Sequence, residues 1–280
     1  MKYILALLLS FGFLFADAKS TLFSPLLKPL DYDKQKALLG KELFNDKRIS
    51  TDKKISCRSC HSTYETFNKK HGKSDLNPPS ILNSYLNYIH SFDGKITNLK
   101  EKINLCLTSG AELKSDPEFI VKQIKRNPRY AFKFKRLYKD GVTYENAIDA
   151  IIEFLKATVT PNSKFDKFIA GDENALSQDE KDGFDLFMRI GCVNCHNGVN
   201  LGGNIVSLLG YEGMALKVPS LRNVSLRSVY LHNGTLNDLL QTIEFMNERM
   251  NLKNFTQKDY ELLYKFLLTL IGEFPEILHE

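Results

Sequence analysis

The pattern Cys-x-x-Cys-His occurs twice in this sequence, at 57–61 and at 192–196. It is the attachment pattern of a c-type haem, in which two thiols add to the porphyrin vinyl groups and the histidine becomes the proximal ligand of the iron. The spacing has a mechanical reason, because one short turn brings both sulfurs to one edge of the porphyrin and directs the imidazole at the metal. The residues predicted to bind two covalently attached haems are Cys57, Cys60, His61, Cys192, Cys195 and His196.

Redox chemistry and zinc binding account less well for the four cysteines. A pair of redox dithiols would not need a histidine directly after each dithiol. A zinc site built from the four thiolates would leave both histidines without a role. Haem attachment is therefore the favoured interpretation of the repeated pattern.

Residues 1–18 have the three parts of a secretory signal peptide. Met1-Lys2 is a short positive start, Tyr3–Phe15 is apolar, and Ala16–Ala18 is a small-x-small cleavage site. The apolar run is too short for a membrane span, and a retained anchor is the alternative. No second long apolar stretch follows, so we expect a periplasmic protein with no membrane span after cleavage. Export also fits the attachment of c-type haem, which takes place outside the cytoplasm.

Composition excludes some classes of protein. The formal net charge of +5 is too small to indicate a nucleic-acid partner, and no basic run interleaved with aromatic residues supports one. Four of the five cysteines belong to the haem patterns, so Cys106 has no partner for a disulfide. We interpret Cys106 as a small buried hydrophobic residue, with a redox role left open.

Helical signals dominate, and no sustained period-2 strand pattern is present. We predict a mostly α fold made of two cytochrome c-like haem domains with long haem-covering loops. The predicted divisions are a signal peptide at 1–18, an N-terminal haem domain at 19–165 and a C-terminal haem domain at 166–280, with the boundary inside 160–175. The predicted helices are Tyr32–Asn45, a helix capped by Ser115 or Asp116, Tyr144–Val159 capped by Thr143, a helix from the capping box Ser177–Glu180 to Arg189, Thr235–Arg249 and Thr256–Ile271.

A c-type haem also needs a second axial ligand, unless that position is kept open for a substrate. The available donors are His71, His90, His232, His279 and the methionines other than Met1. Pattern alone does not choose among them, because a lone histidine or a methionine on an apolar helix stripe is more often a packing residue. Met246 is an example, since it lies on an apolar stripe with Leu239 and Ile243 that would serve a core equally well.

The order of motifs along the chain resembles the bacterial dihaem cytochrome c peroxidase family. The resemblance covers nearly the whole mature chain. Its motifs are Leu39–Asp46, Ile49-Ser50, His71-Gly72, Asn77–Ser80, Phe92–Lys95, Phe165–Phe168, Gly183-x-x-Leu186-Phe187, Gly191–Gly203, Lys217–Val224 and His232-x-Gly234, in addition to the haem patterns.

The resemblance implies roles for individual residues. His71 corresponds to the distal ligand of the N-terminal haem, which must leave before peroxide binds. Met246 corresponds to the distal ligand of the C-terminal haem, and Glu112 to the distal acid–base residue. Lys102 stands where the family has a glutamine, and a nearby ammonium favours the ionised carboxylate. Asn77 corresponds to a calcium ligand between the domains.

Two of the family's other calcium ligands are backbone carbonyls, which here fall at Arg227 and Val229 instead of threonine and proline. The chain also has no tryptophan, whereas the family usually has one between the haems at the position of Phe92. Because phenylalanine is much harder to oxidise, direct tunnelling between the haems is implied.

The implied function is a periplasmic peroxidase that reduces hydrogen peroxide to water. Its electrons would come from a small redox protein, a cytochrome c or a cupredoxin, and a homodimer is expected. Two alternatives remain open: a dihaem oxidase of a protein partner, and a non-enzymatic dihaem electron carrier or redox sensor. Those oxidases have a tyrosine instead of the methionine ligand and no counterpart of His71, so Met246 and His71 favour the peroxidase.

Overall fold

The computed structural model describes residues 21–61, 76–110, 112–211 and 213–279. The predicted signal peptide and His71 lie outside these described residues. Within them, the α-helices are α1 (Lys34–Asn45), α2 (Cys57–Cys60), α3 (Leu99–Thr108), α4 (Pro117–Arg126), α5 (Pro128–Leu137), α6 (Tyr144–Ala157), α7 (Lys164–Ile169), α8 (Gln178–Arg189), α9 (Leu239–Met250) and α10 (Gln257–Leu268). Strands β1 (Val206–Ser207) and β2 (Leu216–Lys217) form a short antiparallel pair. The predicted mostly α fold is confirmed.

Side-chain caps start the helices where the sequence predicts them. Asp116 accepts from the Phe119 N–H before α4, and Thr143 accepts from the Asn146 N–H before α6. Each cap satisfies a backbone donor that has no partner inside the helix. Helix α8 begins after the predicted capping box, in which the Ser177 N–H donates to the Glu180 carboxylate.

Helix α9 begins four residues later than predicted, at Leu239. The chain just before it is held in extended form, because Tyr230 and Leu236 make an antiparallel bridge. Asp238 then caps the helix by accepting from the Gln241 N–H. Helices α3, α5 and α7 were not predicted from the sequence.

In the N-terminal half, α1 packs against α6 with the two backbones in close contact. A Cβ atom at Gly40 would lie 1.9 Å from the Ala150 carbonyl oxygen, so only glycine allows this approach. The surrounding core is completed from the far end of the chain by Ile277 and Leu278.

In the C-terminal half, α8 packs against α10 in the same way. A Cβ atom at Gly183 would lie 2.1 Å from the Leu262 carbonyl oxygen. Phe184 and Phe266 pack edge to face or tilted around Phe165, and Phe23 from the beginning of the described chain joins this core. The two buried clusters therefore each include residues from the opposite end of the chain.

The halves meet at Thr160, which is fully buried. Asn83 and Asn223 each donate a side-chain N–H to the Thr160 hydroxyl oxygen, both at 2.8 Å. Both asparagines have left-handed backbone conformations and begin short 3-10 helices. They are the last residues of the segments Pro79–Asn83 and Pro219–Asn223, which share the sequence Pro-Ser-x-x-Asn. The two halves therefore contain the same local structure, one copy on each side of Thr160.

Candidate functional site

The first Cys-x-x-Cys-His segment is a single helical turn followed by an extended histidine. The Ser59 hydroxyl oxygen accepts from the Ser56 N–H at 3.0 Å and fixes the start of the turn. The Nδ1 of His61 lies 2.7 Å from the Pro79 carbonyl oxygen, which can only accept, so Nδ1 carries the proton. This leaves Nε2 as the metal-binding nitrogen. Burial lowers the pKa of His61, which keeps the imidazole neutral as a ligand must be.

The second segment orients its histidine in the same way, although its backbone conformation is different. A 3-10 turn, Cys192–Asn194, follows Gly191, whose φ of 88° is suited to glycine. The Nδ1 of His196 lies 3.2 Å from the Leu201 carbonyl oxygen, so Nε2 again remains for a metal. Burial lowers the pKa of His196 to about 4, and its imidazole is therefore neutral at ordinary pH.

The thiols of both segments are unpaired, as haem attachment requires. All five cysteines are free. Burial raises the pKa of Cys57 and of Cys192 to about 12. These thiols therefore stay protonated inside apolar surroundings, unlike the low-pKa thiolates of redox dithiols.

A cavity of about 350 Å³ adjoins the second segment. Cys192, Cys195 and His196 line it, and so do Met246 and Met250 from α9. Its other walls are largely aliphatic: Leu216, Val218, Leu239, Ile243, Leu263 and Leu267. An apolar slot with two thiols, an oriented imidazole and a thioether fits a haem. Because both methionines line the cavity, the choice of Met246 as the distal ligand stays a prediction.

Lys102 and Glu112 lie together beside the first segment. The Lys102 Nζ is 3.3 Å from Glu112 Oε1, and the side chains are 28% and 40% exposed. Burial opposes the charge of Lys102, but Cys106 and Glu112 outweigh this effect and raise the pKa of its ammonium. After burial, the charge of Glu112 is the next cause of the raised pKa of Cys60. The structure therefore brings the predicted acid–base residue to the predicted N-terminal haem site.

Cys106, on α3, belongs to this cluster. Its side chain is partly buried, and burial raises its pKa well above that of an ordinary thiol. It is therefore a protonated neighbour of Glu112 and not a thiolate.

Three residues of the predicted family motifs connect the two halves. The Lys217 N–H donates to the Phe92 carbonyl oxygen at 2.7 Å. The His232 Nε2 donates to the Lys217 carbonyl oxygen at 2.9 Å. The rings of Phe92 and His232 lie edge to face with centroids 6.2 Å apart. Asn77 joins the same region, because its N–H donates to the His232 carbonyl oxygen at 2.6 Å.

Two cationic side chains of this region, those of Lys217 and Arg227, were not predicted to take part in the site. The Lys217 side chain is buried, at 6% exposure, and lines the cavity together with Arg227. Lys217 lies inside a family motif, but nothing in the sequence indicates that its side chain points inwards. The structural repeat of Pro79–Asn83 and Pro219–Asn223 was also missed, although Pro-Ser-x-x-Asn in both segments is a visible signal.

Two negative findings apply to the described ranges. Within them, no group of three or more His, Cys, Asp or Glu side chains is arranged to hold a metal ion. No helix in the same ranges is long and apolar enough to cross a membrane.

Comparisons with known proteins agree with this arrangement. A family model described as di-haem cytochrome c peroxidase matches residues 34–174. The chain is 33% identical to the cytochrome c551 peroxidase of Nitrosomonas europaea, over 96% of this chain and 90% of that protein. It is 27% identical to the methylamine utilization protein MauG of Methylophilus methylotrophus, over 89% of this chain and 82% of that protein.

The fold has a counterpart among crystal structures. A MauG-like protein associated with microbial copper homeostasis superposes with a TM-score of 0.75 at 21% identity, covering 91% of this chain and 94% of the other. This likeness supports the fold, while the sequence relationships support the family. The chain belongs to the di-haem cytochrome c peroxidase family.

Proposed function

We propose that the protein is a periplasmic peroxidase that reduces hydrogen peroxide to water with electrons from a small redox protein. The observation that carries the proposal is the difference between the two haem segments. Glu112 and Lys102 stand beside the first segment, whereas the second has a thioether-lined apolar cavity. One half has a proton-transfer group for chemistry and the other has a ligand for electron storage.

The four cysteines would attach the haems covalently, with Nε2 of His61 and of His196 as the proximal ligands. A haem bound at the first segment would supply the iron that takes up peroxide and one of the two electrons that cleave its O–O bond, and the haem of the second segment would supply the other electron. The net reaction consumes hydrogen peroxide, two electrons and two protons and yields two water molecules.

Glu112 moves the proton within peroxide. Its carboxylate would accept a proton from one peroxide oxygen and return it to the other, which leaves as water. The Lys102 ammonium, 3.3 Å from Oε1, orients the carboxylate. His71 is proposed, on the resemblance alone, as the ligand that leaves to open this site.

The second segment is proposed to store an electron. A methionine ligand opposite a histidine raises the reduction potential of a haem, which suits Met246 opposite His196 to that task. Phe92 lines the cavity, but its ring is too hard to oxidise to relay an electron. Electrons are therefore proposed to tunnel directly between the haem sites.

Calcium at Asn77 is not supported by the described residues. Arg227 lines the same cavity as Asn77, and a fixed positive charge there opposes a divalent cation. No acidic cluster for a metal is present in the described ranges, although calcium sites usually include carboxylates. No step of the proposed mechanism uses calcium.

The setting of the reaction is part of the proposal. The apolar run after Met1-Lys2 supports export to the periplasm, and relatives named cytochrome c551 peroxidase support a small cytochrome as the donor. A cupredoxin is the other donor considered, and a homodimer is proposed from the family resemblance.

Turnover of hydrogen peroxide by the holoenzyme with reduced cytochrome c tests the proposal. Oxidation of cytochrome c that requires both peroxide and enzyme is expected.

The MauG relative makes a dihaem oxidase of a protein partner the second candidate. That candidate would be favoured if peroxide oxidises the haems of the enzyme but the enzyme then oxidises neither reduced cytochrome c nor reduced cupredoxin. Haems that do not react with peroxide at all, even after prior reduction, would indicate an electron carrier.

A further inference from the structure

Lys217 carries a buried charge in a fixed place between the two halves. Its backbone is held from both sides, by the Phe92 carbonyl oxygen and by the His232 ring. Its side chain is 6% exposed. Among the described residues, no hydrogen bond or ion pair of the Lys217 ammonium is found, and an isolated buried ammonium is strongly unfavourable.

The charged neighbours of Lys217 make this environment more unfavourable. Burial lowers the pKa of Lys217 to about 8, with the charges of Lys102 and Arg227 acting in the same direction. Burial and the charge of Lys217 in turn lower the pKa of His90 to about 4. The charges that act on the Lys217 ammonium are both positive, and the carboxylate of Glu112 is already paired with Lys102.

Arg227 is the second cation on the cavity wall. One of its terminal nitrogens donates to the Ser220 carbonyl oxygen at 2.8 Å. That bond uses one of the five N–H groups of a guanidinium, so the others remain for an acceptor. Lys217 and Arg227 both line the cavity that contains Cys192, Cys195 and His196.

The expected occupant of this cavity brings the missing anions. A haem carries two propionate carboxylates at the edge opposite its vinyl groups. We infer that Lys217 and Arg227 bind these carboxylates, and that the fixed charge of Lys217 raises the reduction potential of the C-terminal haem. The inference rests on the proposed haem sites, but not on peroxidase activity.

The effect on potential follows from charge alone. Reduction adds one negative charge to the haem, and a nearby cation stabilises that charge in a partly buried site. Because Lys217 is only 6% exposed, its ammonium has little room to move away when the haem changes state. The reduction potential of the C-terminal haem would therefore be higher than its axial ligands alone would make it.

The test is a spectroelectrochemical titration of both haems in purified holoprotein. Lys217→Met removes the charge and keeps much of the side-chain volume, whereas Lys217→Arg keeps the charge. Lys167→Met, on the exposed face of α7, is the matched control for loss of one lysine elsewhere. We expect Lys217→Met to lower the reduction equilibrium constant of the C-terminal haem by roughly tenfold or more, the scale of one nearby unit charge. Lys217→Arg and Lys167→Met should stay near the parent.

Several results would overturn the inference. They are an unchanged potential in Lys217→Met, or an equal fall in Lys217→Arg and Lys217→Met. If Lys217→Met does not give folded holoprotein, Arg227→Gln is titrated instead. An unchanged reduction potential of the C-terminal haem in Arg227→Gln would contradict the proposed binding of the propionates by both cations. A protein without peroxide turnover still gives these potentials, so failure of the proposed function is distinguishable from failure of this inference.

Discussion

The Lys102 ammonium lies 3.3 Å from the Glu112 carboxylate, beside the thiols of the first haem segment. The two residues come from different local structures, the helix α3 and the turn that follows it. Their pairing brings together two positions that the family resemblance implies for proton transfer. It also leads to two separate predictions.

Replacing Glu112 by Gln should lower peroxide turnover by roughly 10²–10⁴-fold, the usual contribution of a positioned proton-transfer group. The amide keeps the shape but cannot accept the proton. The spectra of both haems should be unchanged, which separates a chemical defect from misfolding. Glu118→Gln, on the exposed side of α4, is the control and should turn over like the parent. Near-parental turnover of Glu112→Gln would remove this carboxylate from the mechanism.

Replacing Lys102 by Gln should lower peroxide turnover, because Glu112 loses the ammonium that holds its carboxylate in place at 3.3 Å. Lys102→Arg keeps a charged donor at this position and should recover part of the loss. The measurement is turnover at fixed pH with saturating donor. Parental turnover of Lys102→Gln would show that this ion pair is not needed for catalysis.

Replacing Met246 by Ala should lower the potential of the C-terminal haem or open its coordination, because the thioether that favours the reduced iron is lost. Met250→Ala is the matched variant, since that methionine lines the same cavity one turn further along α9. Potentials and the methionine-to-iron absorption band of the oxidised protein are measured for both. A band that survives in Met246→Ala and disappears in Met250→Ala would assign the ligand to Met250.

Replacing His71 by Gly should give an enzyme that reacts with peroxide without prior reduction. This prediction depends on the resemblance, because His71 lies outside the described residues. The oxidised variant is mixed with peroxide and its N-terminal haem spectrum is followed over time, beside the parent with and without reduction. His90→Gly is a suitable control, because His90 is another histidine that the ligand pattern alone could not exclude. If the variant still needs reduction as the parent does, departure of His71 is not what opens the site.

Replacing Thr160 by Val should destabilise the protein by about 2–4 kcal/mol, since two buried donors would lose their acceptor. These donors are the amide groups of Asn83 and Asn223, each 2.8 Å from the hydroxyl oxygen. Urea unfolding of the holoprotein measures the change. Thr235→Val, at an exposed hydroxyl with a local partner, should change the free energy of unfolding little. Equal stabilities of the two variants would contradict a central role for Thr160.

Local signals predicted the helices that begin with a clear cap. Asp116, Thr143 and Ser177 each cap the helix that the sequence indicated, because capping depends on residues only two or three positions apart. Helix α5 was missed although Pro128 begins it and Asn127 caps it. Its buried residues Tyr130 and Phe134 are four positions apart, as on one face of a helix, so both the cap and the spacing were signals that the prediction did not use.

Long-range relationships could not be predicted from local patterns. Thr160 looks like an ordinary residue of a loop before Pro161, and its role appears only when Asn83 and Asn223 are brought to it. Lys217 looks like a surface lysine, since nearly all lysines are exposed, and its burial depends on Phe92 and His232 from distant segments. By contrast, the two proximal haem ligands could be predicted from the sequence, because haem attachment requires a fixed spacing within five residues.

The packing of a late segment into the first half affects the order in which the protein can fold. Ile277 and Leu278 are synthesised long after the first Cys-x-x-Cys-His segment, yet they pack in the core of the half that contains it. That half therefore cannot complete its core before these two residues have emerged, although N-terminal domains usually fold first during synthesis. Cys57 and Cys60 thus belong to an unfinished core during most of synthesis. Under the proposed function, this delay would leave time for a haem to be joined to the first segment before the core closes.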